Sequence, residues 1–200
     1  YGLRFRDPAL VDPESLLKAP TGEAAHGCSI SDPAAADRFV LRSLEGLDPA
    51  APSPQWMRRA LTACGMRPVS LAVDVTNYVM LELGQPLHAF DRAKLSGPLT
   101  VRRAVAGEPL ETLDHVKRTL FADDIVIADP GGPLALAGTM GGLESEIDAE
   151  SHSVAIEAVH FSAHAVARMS RRHKLSSEAS RRFERGVDPE LPAVASARAA

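Results

Sequence analysis

The run Val75-Thr76-Asn77-Tyr78-Val79-Met80-Leu81-Glu82-Leu83-Gly84-Gln85-Pro86-Leu87-His88-Ala89-Phe90-Asp91 constrains this chain more than any other segment. A packed helix accounts for its Val, Met and Leu residues. Packing alone asks neither for the Thr76-Asn77 pair ahead of them nor for the polar, His-bearing tail behind. Local rules read it as a buried strand over Val69–Val75, with Thr76 and Asn77 capping a short helix from Tyr78 to Leu83 that closes at Gly84. His88 then falls on the following turn, twelve residues after Thr76, so chain folding can bring the two side chains together.

Two hundred residues suffice for one domain with a real core, or for two small lobes sharing an interface. The hydrophobic share of 45% and the charged share of 24% are those of an ordinary globular protein. No apolar run approaches the roughly 20 residues needed to span a bilayer, so no membrane partner is expected. Tyr1 opens no signal segment, and the last ten residues read as a helix that stops midway. Both ends therefore read as cuts in a longer polypeptide. Cys28 and Cys64 have no metal-ligand spacing and read as two buried thiols in a reducing, cytoplasmic setting. The net charge of −4 argues against a general nucleic-acid binder. A basic stretch from Arg168 to Arg185 is either a face for phosphates or a solvated helical surface with internal ion pairs.

Along the chain, residues 1–36 read as a linker or entry arm with little core of its own, residues 37–190 as the functional domain, and residues 191–200 as the start of a following helix. Strands are expected at Arg38–Leu44 and Leu99–Ala104. Leu110–Asp129 reads as a β-meander with a turn at Asp114-His115, and Val154–Ala158 as a short buried strand carrying Glu157. Ser53 and Pro54 open a helix that buries Trp56, Met57, Ala60, Leu61 and Cys64 and ends at Gly65. Further helices follow Ser162 and Ser177. The fold class is mixed α/β (α+β): a two-lobed domain of mostly short strands backed by helices, with a pocket where the lobes meet.

Several segments now add up. The opening run, Pro52-Ser53-Pro54-Gln55-Trp56-Met57, Gly65-Met66-Arg67-Pro68, the glycine-rich Leu136-Ala137-Gly138-Thr139-Met140-Gly141-Gly142, Arg171-Arg172-His173 and Glu178 through Pro189 resemble, in order, the editing domain of bacterial phenylalanyl-tRNA synthetase β subunits. The resemblance covers about residues 40–190. It implies a pocket lined by Thr76, Asn77, His88, Ala137, Gly138, Glu157, Ser177 and Ala179. It also implies hydrolysis of tyrosine wrongly esterified to the acceptor end of tRNA(Phe). The implied parent enzyme is an ATP- and Mg²⁺-dependent ligase of two α and two β chains. Its aminoacylation site lies in the α chain, so no cofactor or metal is expected here.

The residue types fit that problem. A hydrophobic pocket shaped for phenylalanine rejects an added hydroxyl by only about 10²-fold, so a second, hydrolytic site is needed. Glu157, the acid in an apolar run, can pair with the phenolic hydroxyl and is left desolvated by a plain ring. His88 can orient or deprotonate a water. Thr76 and Asn77 can hold the ribose, the water or the α-amino group, and backbone N–H groups near Ala137 and Gly138 can approach the ester carbonyl. Taken singly, each has a plainer reading: His88 as a satisfied histidine, Glu157 as a strand acid paired with an arginine near residue 171. His160 and His164 stand four apart, but a helix start between them breaks that spacing as a metal site. The chain departs from the family where Asp114-His115 replaces an Asp-Gly turn, where Lys174 replaces a glycine and so should sit at positive φ, and where Ser177 stands for a common threonine. Two other readings stay open: a non-catalytic module that contacts tRNA and holds its subunit together, and a free-standing hydrolase.

Overall fold

A computed structural model describes residues 7–16 and 27–200 of the chain. Two sheets face one another. The first has five strands in the order β1-β4-β7-β8-β9: β1 (Cys28–Ile30), β4 (Leu99–Arg103), β7 (Ile125–Asp129), β8 (Gly132–Leu136) and β9 (Met140–Gly141). The second has three, β2 (Ala36–Glu45), β10 (Ser153–Phe161) and β3 (Leu87–Asp91), with β10 in the centre and antiparallel to both neighbours. A hairpin of β5 (Pro109–Glu111) and β6 (Lys117–Thr119) closes one end.

Alternation along the strands explains the layering, since successive side chains point to opposite faces. Phe90, Ala155, Val159 and Phe161 of the second sheet meet Leu99, Val101, Ile125, Ile127 and Ala135 of the first in one core. Between these positions, Val126 and Ala128 turn outward and pack with Leu110, Leu120, Met169 and Leu175. Ala89, Val154 and Ile156 turn to the other side, beside Leu44, Leu87 and Ala199. Glu157 shares the inward register of Ala155 and Val159. It is thus an acid in the layer between the sheets.

Among the described residues, five α-helices complete the fold: α1 (Gln55–Ala63), α2 (Leu71–Leu83), α3 (Ala163–Arg172), α4 (Glu178–Phe183) and α5 (Leu191–Ala199). This is the mixed, mostly short-stranded architecture expected. Helix α2 departs from the sequence reading. Residues 69–75 are not a strand; Ser70 stands at the N-cap and the helix runs unbroken through Thr76 and Asn77. The β-branched Val73 and Val75 suggest a strand, but tertiary context overrides them. Asp74 in the first turn suits the positive end of the helix, accepts the Val69 N–H at 2.8 Å and is fully buried. Thr76 is therefore no cap, and its hydroxyl donates to the Val73 carbonyl at 2.8 Å. Gly84 does end the helix, in the left-handed conformation. His88 lies on strand β3 rather than on a turn, because the Gln85-Pro86 segment completes the reversal before it.

Ser53 does not cap α1. Pro54 occupies the N-cap, and the Ser53 hydroxyl donates to the Asp74 carboxylate at 2.5 Å, a stronger charge-assisted acceptor. Only Met57 and Leu61 of α1 are buried; Trp56 is 54% exposed, edge-on to Tyr78 with ring centroids 5.0 Å apart. Cys28 and Cys64 are exposed free thiols, not buried ones: Cys64 sits at the open end of α1 and Cys28 at the edge of the first sheet. Strand β10 is longer than the five residues anticipated. The entry arm is described only in part, yet β1 joins the first sheet and Ala35 is fully buried, so its end contributes to the core. Helix α5 packs on α2, β2 and β10.

Among the described residues, two non-glycine residues have positive φ, His115 (59°) and Lys174 (54°), both where the sequence departs from a glycine pattern. The basic stretch is largely ion-paired. Arg168 and Arg172 bridge Asp123, Arg172 and His173 reach the fully buried Asp124, and Arg181 and Arg182 pair with Glu178. His160 bonds Asp37 at 2.5 Å, and among the described residues no cluster of His, Cys, Asp or Glu could hold a metal ion. No described helix is long and apolar enough to cross a membrane.

Candidate active site

Strands β3 and β10 pair with His88 directly opposite Glu157. Directly opposed side chains share a face, with Cβ atoms about 4.5–5.5 Å apart, so the imidazole and the carboxyl both project between the sheets. They border a cavity of about 480 Å³ whose walls also include Asn77 and Met80 of α2, Leu136 and Gly138 to Gly141 of the glycine-rich bend, and Ser177, Ala179 and Phe183 at α4. A second cavity of about 460 Å³ adjoins it, with Thr76, Val69–Val73 and the segment Glu146–Ala149 in its walls. Asn77, Leu87, His88 and Leu113 line both. His88 therefore stands in the partition between two chambers.

The polar groups of the first chamber have few protein partners. Among the described residues the Glu157 carboxyl makes no hydrogen bond or ion pair. Arg168 and Arg172 are committed to Asp123 and Asp124, and no arginine reaches Glu157 among the described residues, so the plain strand-acid pairing does not occur. Burial pushes the Glu157 carboxyl up to about 8, because desolvation penalises its charged form. At neutral pH the group is therefore largely a carboxylic acid. Desolvation pushes the His88 imidazole down to about 4, so it is neutral under the same conditions. Its ring packs edge-on against Phe90 at 4.6 Å, and it makes no hydrogen bond within the described protein. Hemmed in by protein, it is open only toward the chambers.

Gly141 permits that placement. A Cβ there would lie 2.6 Å from His88 Cε1 and 2.8 Å from Nε2. Gly138, at φ +66°, lets the bend pass over the edges of Phe161 and Phe183, where a Cβ would sit 3.0 and 2.8 Å from ring carbons. Its N–H makes no hydrogen bond among the described residues, so it is a free donor at the wall.

Of the residues expected at the site, Asn77, His88, Gly138, Glu157, Ser177 and Ala179 line the first chamber. Thr76 lines only the second. Ala137 lines neither: it is fully buried, and its N–H donates to the Ile125 carbonyl at 3.0 Å. Ser177 is fully engaged. Its hydroxyl accepts from Ser180 N–H at 3.0 Å as the N-cap of α4 and donates to the Thr139 carbonyl at 2.8 Å. It ties α4 to the bend and leaves no proton for a ligand. Sequence reasoning misses Met66, Met80, Leu113, Met140 and Phe183 as walls. Met66, Met80, Met140 and Phe183 lie within segments that carry the resemblance, whereas Leu113 lies outside them.

Comparison with known proteins shows the family. The B3/4 domain profile matches residues 35–200. The β subunit of phenylalanine–tRNA ligase from Thermobifida fusca is 57% identical over 199 residues, covering 100% of this chain and 23% of that protein. The one from Corynebacterium glutamicum is 54% identical, covering 98% of this chain and 24% of its relative. The chain thus spans about a quarter of the length of these relatives. Among solved structures, an N-terminal fragment of the phenylalanyl-tRNA synthetase β subunit from Pyrococcus horikoshii aligns with a TM-score of 0.53 at 13% identity, over 71% of this chain and 45% of that one. That likeness is one of fold. The chain belongs to the B3/4 domain family, in the form found in bacterial phenylalanine–tRNA ligase β subunits.

Proposed function

We propose that the two chambers bind the end of a mischarged tRNA(Phe) and hydrolyse the ester that holds tyrosine to it. The observation that carries this reading is Glu157, the one acid at the first chamber without a partner among the described residues, opposite His88. A tyrosine side chain in the first chamber satisfies it: the neutral acid donates to or accepts from the phenol. A phenylalanine ring would displace water and leave the acid unpaired, at about 1–3 kcal/mol, or roughly 5- to 150-fold in binding.

The shared partition suits an ester. With the side chain in the first chamber and the terminal nucleoside in the second, the scissile bond lies beside Asn77 and His88. Esters are activated acyl groups, so a positioned water and a stabilised oxyanion suffice without a covalent intermediate. A neutral His88 accepts a hydrogen bond from that water and fixes its line of attack. Its lowered proton affinity makes it a weak base, which favours orientation over full deprotonation; the vicinal ribose hydroxyl can relay the water's proton to the departing ribose oxygen as the ester C–O bond breaks. The Gly138 N–H, unpaired among the described residues, is our candidate donor to the developing oxyanion. Thr76 lines the nucleoside side, and Asn77 can reach the α-amino group.

The parent assembly, by this reading, is a cytoplasmic ligase whose α subunit carries ATP and Mg²⁺, with no cofactor in this domain. Calorimetry with the non-hydrolysable amides of tyrosine and phenylalanine on 3′-amino-3′-deoxyadenosine tests the recognition step. A preference for the tyrosyl compound of about five-fold or more, lost in Glu157→Ala, supports it. Equal affinity for the two sinks it and leaves the non-catalytic module.

A further inference from the structure

Given hydrolysis at these chambers, we infer that the RNA strand bearing the ester leaves them across the α1–α2 connection, its phosphates tracking Arg67, Arg59 and Arg58. An aminoacyl ester at a strand's 3′ end requires the rest of that strand to exit over one rim, and phosphates need cations there. The connection borders both chambers. Met66 lines the first, Val69 and Ser70 line the second, and Arg67 lies exposed between them. Arg58 and Arg59 are exposed on α1, the helix that leads into this connection. All three lack an acidic partner among the described residues.

The opposing rims have the wrong sign or are already neutralised. The far wall of the second chamber presents Asp48, Glu146 and Asp148. The α4 rim of the first presents Glu178, which is held by Arg181 and Arg182. Asp114, also at the first chamber, is bridged to Arg118. Among the described residues, Arg58, Arg59 and Arg67 put unpaired positive charge on the α1–α2 side, beside Met66 of the first chamber and Val69 of the second. The net charge of −4 makes that asymmetry matter, because the rest of the surface repels phosphate on average.

The test is steady-state release of tyrosine from tyrosyl-tRNA(Phe) by the full-length protein, wild type against Arg58→Glu/Arg59→Glu/Arg67→Glu, at several salt concentrations. We expect KM to rise at least about tenfold with kcat within about a factor of two. The slope of log(1/KM) against log salt should fall by about 2, at about 0.7 per single-strand phosphate contact. Arg67→Ala, a milder change, should raise KM several-fold. An unchanged KM and salt slope overturns the path, as does the same loss arising from Arg171→Glu/Arg185→Glu on the α3–α4 side instead. The wild type is also assayed on 3′-O-tyrosyl-adenosine, which has no phosphate. Hydrolysis there without salt dependence keeps the chamber reading separate from the path. No release by the wild type from either substrate removes the hydrolytic reading, and the path with it.

Discussion

Replacing Glu157 by glutamine should stabilise the protein, increasingly so as the pH rises. The side chain is 6% exposed and has no partner in the described protein. In the unfolded chain it loses its proton near the ordinary value of 4.5; in the folded state it keeps it to about 8. A raised folded-state pKa means that folding is favoured most below 4.5 and that the advantage is lost as the pH climbs through 8. At about 1.4 kcal/mol per pH unit across that window, the acid costs less than about 1 kcal/mol at pH 5, about 3 at pH 7, and roughly 5 above pH 8. Glutamine has nearly the same shape and does not titrate. Urea denaturation followed by far-UV circular dichroism at pH 5 and pH 7.5 should therefore show Glu157→Gln gaining about 3 kcal/mol on the wild type between the two. All other titrating groups cancel in that difference. A difference that stays constant with pH would refute the argument, since it would mean that Glu157 ionises as freely in the folded protein as in the unfolded chain.

Three further outcomes follow from the same geometry. Because His88 carries charge only below about 4, the rate of tyrosine release should show no histidine inflection between about pH 5.5 and 7.5, and a pH–rate profile with a break near 6.5 would contradict its desolvation. Gly138→Ala should destabilise by about 2–4 kcal/mol in denaturant titration, combining a left-handed alanine with overpacking against Phe161 and Phe183. Asp124→Asn should cost about 3–5 kcal/mol, because Asp124 is fully buried and holds Arg172 at 2.5 Å, His173 at 2.7 Å and the Phe121 N–H at 2.9 Å; a drop in melting temperature of only about a degree would refute it.

The strands are the most legible part of the fold. Period-two alternation around Val154–Val159 and Leu99–Arg103 is a local property, and it is enough by itself to set Glu157 on the same face as Ala155 and Val159. Helix ends marked by glycine are equally plain, as at Gly65 and Gly84, both at positive φ. Residues 69–77 mislead because their helix is secured by contacts that local rules do not register: Asp74 buried beneath Ser53 and Val69. The Thr76-Asn77 pair looks like a cap because both residue types favour caps, yet here they sit within the helix, facing chambers. At the site, the resemblance brings together six residues that the fold gathers in one chamber. It does not reveal that His88 and Glu157 are cross-strand neighbours, that both are neutral at pH 7, or that Ser177 spends its hydroxyl on Ser180 and Thr139. Those facts depend on strand register and on burial from distant segments, neither of which is written in local sequence. The apolar walls from Met66, Met80, Leu113 and Phe183 are silent for the same reason: an apolar side chain that lines a cavity reads like one that fills a core.

The most direct measurement is deacylation of tyrosyl- and phenylalanyl-tRNA(Phe) by the full-length protein, comparing the wild type with Glu157→Ala and His88→Ala. We predict fast, tyrosine-selective release by the wild type. Glu157→Ala should lose most of the selectivity, falling toward equal rates for the two esters. His88→Ala should lose about 10²-fold or more in rate with selectivity retained. Unchanged rates and unchanged selectivity in both variants would contradict the account and leave these chambers without a hydrolytic role.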